Sequence, residues 1–208
     1  MRIISVKDLP LAGAKLIEYA RFKDRRGYFS EIWQKGDFLQ LAKALGLDKL
    51  DFVQANESRS VAKVVRGLHF QIDPPMGKLV RVLYGRTVDM ALDARPLSPT
   101  FGKMMMVELK PDFEEGFGRW LWLPSGLAHG NVYLEDSAIE YLCDASYNPS
   151  GEVGISPLDP ALDLSACPSD LKRAYEAVLD DGPILSDRDR AGLSLERWRR
   201  DPRARLVK

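Results

Sequence analysis

The sequence predicts a mainly β protein, a sandwich or a small barrel. Three observations carry this. Between residues 61 and 145 the chain falls into runs of strand length, parted by turn residues at 73–75, Gly85, 95–99, 111–118 and 124–126. Within the runs, side chains alternate with period two. Val88, Met90 and Leu92 alternate with Thr87, Asp89, Ala91 and Asp93, and Trp120 and Trp122 with Leu121 and Leu123. Clear helical spacing appears only outside this region, at 37–47 and 169–180. Short strands at near-regular intervals are the pattern of an all-β sandwich or barrel.

Taken in order, residues 1–20 read as two short strands around a turn at 10–13. Asp24 to Gly27 carries turn chemistry in a charged hairpin, with Phe29 and Glu31 on one face of its second strand. The helix at 37–47 has Asp37 as its cap, Phe38, Leu41, Ala42 and Leu45 on one face, and Gly46 at its end. Gln54 and Asn56 share a strand face. The run Met104-Met105-Met106 reads as core filling rather than as a metal or haem contact. The later helix has Ser169 as its cap and Leu171, Ala174, Tyr175 and Val178 on one face.

At 208 residues the chain is long enough to bury a real core. No repeat or low-complexity linker divides it, so one domain is expected over 1–208. Its β core spans about 15–160 and a helical extension about 165–208. Net charge is zero, which leaves no electrostatic footprint for nucleic acid or an anionic membrane. The basic run 195–200 reads as a solvated tail or helix. Cys143 and Cys167 lack metal-site spacing and read as reduced thiols of a cytoplasmic protein. The first residues are charged at Arg2, Lys7 and Asp8, unlike a secretory leader. No window approaches the roughly 18 apolar residues that span a bilayer.

One stretch concentrates chemistry: Arg66-Gly67-Leu68-His69-Phe70-Gln71, followed by Lys78-Leu79-Val80-Arg81. If 64–71 is regular strand, Arg66, Leu68 and Phe70 share one face and Val65, Gly67, His69 and Gln71 the other. From position alone, His69 reads as well or better as a satisfied core or surface histidine. Taken alone, Tyr141 reads first as a packed strand tyrosine, and Gln54 and Asn56 as a solvated strand face.

These runs resemble the signature of the dTDP-4-dehydrorhamnose 3,5-epimerase family. Five further blocks match it in order. They are Asp24-Arg25-Arg26-Gly27-Tyr28-Phe29-Ser30-Glu31, Phe52-Val53-Gln54-Ala55-Asn56-Glu57-Ser58, Leu123-Pro124-Ser125-Gly126-Leu127-Ala128-His129-Gly130, the segment with Tyr141 and Tyr147 before Pro149, and Leu185-Ser186-Asp187-Arg188-Asp189. The resemblance spans about 22–190. It implies a jelly-roll (cupin-like) barrel with a few peripheral helices and an interior for one small ligand. It also implies epimerisation at C3 or C5, or both, of a dTDP-4-keto-6-deoxyhexose in rhamnose-type deoxysugar biosynthesis.

The chemistry of such a reaction suits the residues at the matching positions. A proton beside a ketone leaves because charge moves onto the carbonyl oxygen. Inversion needs a base on one face, a proton donor on the other, and stabilisation of the enolate. The resemblance assigns His69 as base, Asp189 as the carboxylate that orients it, Lys78 as the charge at the enolate oxygen, and Tyr141 as the acid. It implies substrate contacts from Phe22, Arg26, Glu31, Gln54, Asn56, Arg66, His129, Tyr147 and Arg188. Arg26 and Glu31 would reach into the partner subunit's site of a homodimer. Asp159 is an alternative carboxylate that reads as structural, as does the block 98–102. No step requires a metal or a redox cofactor.

Two other readings stand beside this one. A metal-dependent cupin would need a 2-His-1-carboxylate site from the two histidines, which lack His-x-His spacing. A non-catalytic sugar-nucleotide-binding protein would have no use for a base paired with an acid. The chain also departs from the family pattern: Ser146 stands before Tyr147 where a second tyrosine is usual, Pro157-Leu158 replaces Trp-Asn, the loop 72–77 is shorter, and 163–183 is longer. These changes touch substrate identity rather than the acid–base set, and they keep a single-site epimerase on a different nucleotide-linked ketosugar in view.

Overall fold

Strands whose two faces are both buried organise the molecule, and they stack into two antiparallel sheets. The structure, a computed structural model, describes residues 1–34, 38–111 and 113–207. Its strands are β1 (Ile3–Asp8), β2 (Lys15–Ala20), β3 (Phe22–Asp24), β4 (Gly27–Phe29), β5 (Gln54–Ser60), β6 (Val65–Gln71), β7 (Lys78–Tyr84), β8 (Thr87–Asp93), β9 (Met104–Leu109), β10 (Phe117–Leu123), β11 (Leu127–Tyr133), β12 (Ser137–Cys143) and β13 (Glu152–Gly154). The helices are α1 (Phe38–Leu45), α2 (Ser169–Asp180), α3 (Asp187–Arg190) and α4 (Leu195–Arg200). One sheet runs β1-β2-β10-β7-β12-β5, the other β13-β6-β11-β8-β9, and β3-β4 form a separate hairpin. This is the mainly β, jelly-roll arrangement the resemblance implied. Among the described residues no helix is long and apolar enough to cross a membrane.

Apolar packing lies in three places. Between the sheets, Val80, Leu121, Leu123 and Ile139 meet Ala91, Met105 and Tyr133. Outside the six-stranded sheet, Ile17, Leu79, Trp120 and Trp122 pack under Leu41, Ala42 and Leu45 of α1. Outside the five-stranded sheet, Leu68, Phe70, Met90, Leu92 and Met104 pack under Leu171, Tyr175 and Trp198. The alternation in β8 therefore does not separate core from solvent. Val88, Met90 and Leu92 face the C-terminal helices, and all seven residues of β8 are buried.

The ends of the helices differ in detail from the sequence reading. Asp37, expected to cap α1, lies outside the described residues, while Gly46 closes the helix at a positive φ of 73°. Ser169 does not cap α2. Pro168 occupies the cap position without a side-chain bond, and Ser169 is the first helical residue. Proline presets φ for helix entry but offers no side-chain acceptor, and only its carbonyl takes a bond, from the Lys172 amide at 2.9 Å. The basic run 195–200 is a helix, as one reading allowed, yet it is not a solvated appendage. Trp198 is fully buried, donates its indole N–H to the Ala94 carbonyl at 2.8 Å, and meets the Phe70 ring edge-on at 5.0 Å.

A β-bulge in β6 corrects the expected faces. His69 pairs with His129 and Arg66 with Asn131, so two residues, Gly67 and Leu68, oppose Gly130 alone. The extra residue turns Arg66 onto the face that carries His69. Leu68 and Phe70 keep the opposite face and enter the outer core. Glycine is required at the bulge. Gly67 has φ of 105°, and an added Cβ would sit 2.5 Å from Gly130 Cα.

Candidate active site

The inner faces of the two sheets leave a cleft of about 720 Å³ between them, within the usual range for small-ligand sites. One wall is β6 and β11, supplying Arg66, His69, His129 and Asn131. The facing wall is β5, β7 and β12, supplying Gln54, Asn56, Ser58, Lys78, Tyr141 and Cys143. Tyr147 and Glu152, and then Ser186, Arg188 and Asp189 from the C-terminal segment, complete the lining. That segment is tied to the barrel. The Ile184 amide donates to the Lys63 carbonyl at 3.0 Å, and the Val65 amide to the Ile184 carbonyl at 3.0 Å.

His69 Nε2 lies 2.7 Å from Asp189 Oδ1. Asp189 sits in the short helix α3, where Ser186 caps by accepting its amide at 3.1 Å. Burial pushes the Asp189 carboxyl up. The adjacent His69, with Ser186 and the Gly67 amide, outweighs burial and holds it below the ordinary carboxylate value. On the other side of the ring, Nδ1 is 3.9 Å from Glu152 Oε1. Glu152 is itself clamped, accepting bonds from Tyr147 Oη at 2.8 Å and from Arg188 Nη2. Burial raises its carboxyl, but Arg188, Tyr147 and the charge of His69 hold it below its usual value.

Lys78 opens β7 and donates to the His69 carbonyl at 3.3 Å. Burial lowers its ammonium pKa, against the charges of Cys143 and Glu152. Tyr141 stands on β12 beside Lys78's strand, with Tyr141 paired to Val80. Burial raises its phenol, with Cys143 and Tyr133 adding to the shift. His129 forms a second pair, its Nε2 2.9 Å from Asp89 Oδ1, while Thr87 Oγ1 donates to Asp89 Oδ2 at 2.9 Å. Burial lowers the His129 pKa, and Asp89 works against that.

The remaining contacts shape the cleft. Gln54 accepts the Tyr147 amide at 2.8 Å and donates to Asn56 at 3.0 Å. Arg66 donates from Nε to Ser60 Oγ at 2.8 Å. Asp159 is absent from the lining and accepts the Leu195 amide at 2.6 Å, a structural task. In the block 98–102, Ser98 and Thr100 each donate to buried Asp93 at 2.6 Å, again structural.

Of the residues singled out in the sequence, ten meet in this cleft: His69, Tyr141, Asp189, Lys78, Gln54, Asn56, Arg66, His129, Tyr147 and Arg188. Three do not. Phe22 and Arg26 lie on the β3-β4 hairpin, and Glu31 lies just past β4 instead of on its face. Arg26 is 83% exposed and pairs locally with Asp24 at 2.6 Å, while Glu31 accepts from the Met1 ammonium. Sequence reasoning missed Glu152 and Asp89. The trace of Asp89 was a carboxylate inside an apolar strand. The only trace of Glu152 was its place soon after Tyr147.

Known proteins resemble this chain closely. The family model described as dTDP-4-dehydrorhamnose 3,5-epimerase matches residues 8–197. A dTDP-4-dehydrorhamnose 3,5-epimerase of Methanothermobacter thermautotrophicus is 38% identical over 181 residues, covering 86% of this chain and 88% of its own. Two solved structures superpose well. The dTDP-6-deoxy-D-glucose-3,5-epimerase of Legionella pneumophila, in complex with dTDP-4-keto-L-rhamnose, has a TM-score of 0.77 at 33% identity and covers 98% and 96% of the two chains. ChmJ, a 3'-monoepimerase of Streptomyces bikiniensis in complex with dTDP-quinovose, has a TM-score of 0.72 at 28% identity and covers 94% and 88%.

Proposed function

The chain belongs to the dTDP-4-dehydrorhamnose 3,5-epimerase family, and from that premise we propose that it inverts C3, C5 or both of a dTDP-4-keto-6-deoxyhexose. The observation that carries the reading is the His69–Asp189 contact of 2.7 Å, in a cleft that also holds Lys78 and Tyr141.

Asp189 at Nε2 fixes the tautomer that carries its proton there, which leaves Nδ1 free to take the substrate proton. The imidazolium that forms lies between two carboxylates, Asp189 and the more distant Glu152, and both favour it. Negative charge then moves onto the C4 oxygen, where the Lys78 ammonium stabilises it. Tyr141 returns a proton from the facing wall. Base and acid on opposite sheets approach opposite faces of the ring, as inversion demands. No step calls for a redox change or a metal.

Arg66, Gln54, Asn56, His129, Tyr147 and Arg188 hold the nucleotide-sugar, the arginines suiting its diphosphate through their forked donors. Phe22, Arg26 and Glu31 lie away from their own chain's cleft. They act across a homodimer, completing the partner subunit's site.

The test is proton NMR of dTDP-4-keto-6-deoxyglucose in D₂O with the enzyme and with His69→Ala. The expected result is enzyme-dependent loss of the C3 and C5 proton signals, abolished by the substitution. Loss at one carbon alone would keep the mechanism and identify a single-site enzyme, the activity named for ChmJ. Exchange at a normal rate in folded His69→Ala would overturn the assignment of the base.

A further inference from the structure

The cleft contains two polar atoms that the acid–base chemistry leaves unused. Asn131 is 3% exposed, and its Nδ2 has no hydrogen-bond partner among the described residues. Ser58 Oγ is likewise a buried atom; the buried Tyr133 hydroxyl lies beside it, yet neither completes a hydrogen bond of full geometry. Both residues line the cleft. An amide or hydroxyl held away from water without a partner costs stability. Two such groups in one cavity point to a ligand that satisfies them.

Their positions follow from strand register. Asn131 lies two residues beyond His129 on β11, so the two share a face. Ser58 pairs with Ile139, which lies two residues before Tyr141 on β12. Asn131 and Ser58 are thus each one pleat, roughly 7 Å, from the reacting region, on facing walls. Arg66 pairs with Asn131 across the sheet and joins the same end of the cleft.

The substrate supplies a matching group. In a 4-keto-6-deoxyhexose, C1 carries the nucleotide, C3 and C5 react, C4 bears the ketone and C6 is a methyl. The only hydroxyl on a ring carbon that does not react is at C2. We propose that Asn131 Nδ2 and Ser58 Oγ bind this 2-hydroxyl, the amide donating to its oxygen and the serine accepting its proton. Asn131 is then a specificity-determining residue that selects 2-hydroxy over 2-deoxy ketosugars. The inference rests on the epimerase reading above.

The experiment compares two probes, dTDP-4-keto-6-deoxyglucose and its 2-deoxy counterpart, by deuterium exchange with the full chain. The readout is the ratio of kcat/KM for the two. Wild type is expected to favour the 2-hydroxy probe about tenfold or more, and Asn131→Leu to collapse that ratio toward one, chiefly through KM. Ser58→Ala, a smaller change, is expected to lower the ratio several-fold and serves if Asn131→Leu does not fold. A ratio unmoved by the substitution that folds would overturn the subsite and leave the epimerase reading intact. If wild type exchanges neither probe, the epimerase reading fails instead. Calorimetric binding of the same two probes to wild type and Ser58→Ala then decides the subsite, because discrimination lost in the variant upholds it and equal binding to wild type refutes it.

Discussion

Replacing Asp189 by asparagine isolates the dyad with little change in shape. The carboxylate oxygen Oδ1 is buried and faces His69 Nε2 at 2.7 Å, so water cannot take its place. A hydrogen bond to a charged group is worth ~1.5–3 kcal/mol. At about 1.4 kcal/mol per tenfold, the charge alone supports a rate loss of about ten- to 150-fold. An amide that turns its NH₂ toward the ring also reverses the preferred tautomer, which moves the expected loss to the upper end or beyond. The assay is initial-rate deuterium exchange at saturating substrate, followed against pH. A second readout is acid unfolding. The folded Asp189 carboxyl lies below its ordinary value. Its stabilisation is therefore present above the unfolded pKa and is lost as pH falls through the folded one. Asp189→Asn lacks that titration, so its stability changes less steeply with pH in the acid range. A variant with wild-type kcat and an unchanged pH profile would refute the argument that Asp189 orients and charges the base.

Other perturbations test the remaining parts. Tyr141→Phe removes the opposite-face acid and is expected to slow inversion by about 10²- to 10⁴-fold while hydrogen exchange at the abstracted position persists; equal loss of both would count against the division of labour. Burial lowers the Lys78 ammonium and raises the Tyr141 phenol, so the alkaline fall in rate is expected below the ordinary lysine range. Lys78→Arg, which keeps its charge, should shift that fall to higher pH whatever its absolute rate, and an identical alkaline limb would assign it elsewhere. Trp198→Ala removes a fully buried indole and is expected to cost ~3–5 kcal/mol in denaturant unfolding, whereas a cost under ~1 kcal/mol would mean the C-terminal helices are only loosely held.

Much of the architecture was legible because strand alternation and turn residues are local signals. β7, β8 and β10 begin and end close to where the turns placed them, whereas no turn in the reading parted β11 from β12. Alternation alone could not say which face was inside, since the central strands of the sheets are covered on both faces. That is why Asp89, a polar member of β8, was not recognised as the partner of His129. The same limit explains the misplaced faces of β6. Parity counting assumes an unbroken strand, and the extra residue at Gly67-Leu68 resets it, which brings Arg66 round to His69. Glu152 was hidden for another reason. Its three-residue strand exists only through pairing with β6, and so short a segment carries no periodicity. The matching motif blocks named ten cleft residues together because they record a spatial grouping that no local rule contains. Trp198 shows the converse, for its burial depends on a surface made by strands a hundred positions earlier.

The tie between Ile184 and the start of β6 bears on when the molecule becomes competent. In synthesis residue 69 is made well before residue 189, so the base precedes its carboxylate. The barrel strands can pair before that carboxylate is made, but His69 then faces solvent without Asp189. Only when the segment 184–198 docks, tied to the barrel by Ile184 and Trp198, is the His69–Asp189 pair assembled. A chain still lacking that segment would thus hold His69 in an incomplete cleft, without the carboxylate that orients it. Efficient proton abstraction thus waits on the docking of residues 184–198, and loss of that segment would slow the chemistry by removing the partner of His69.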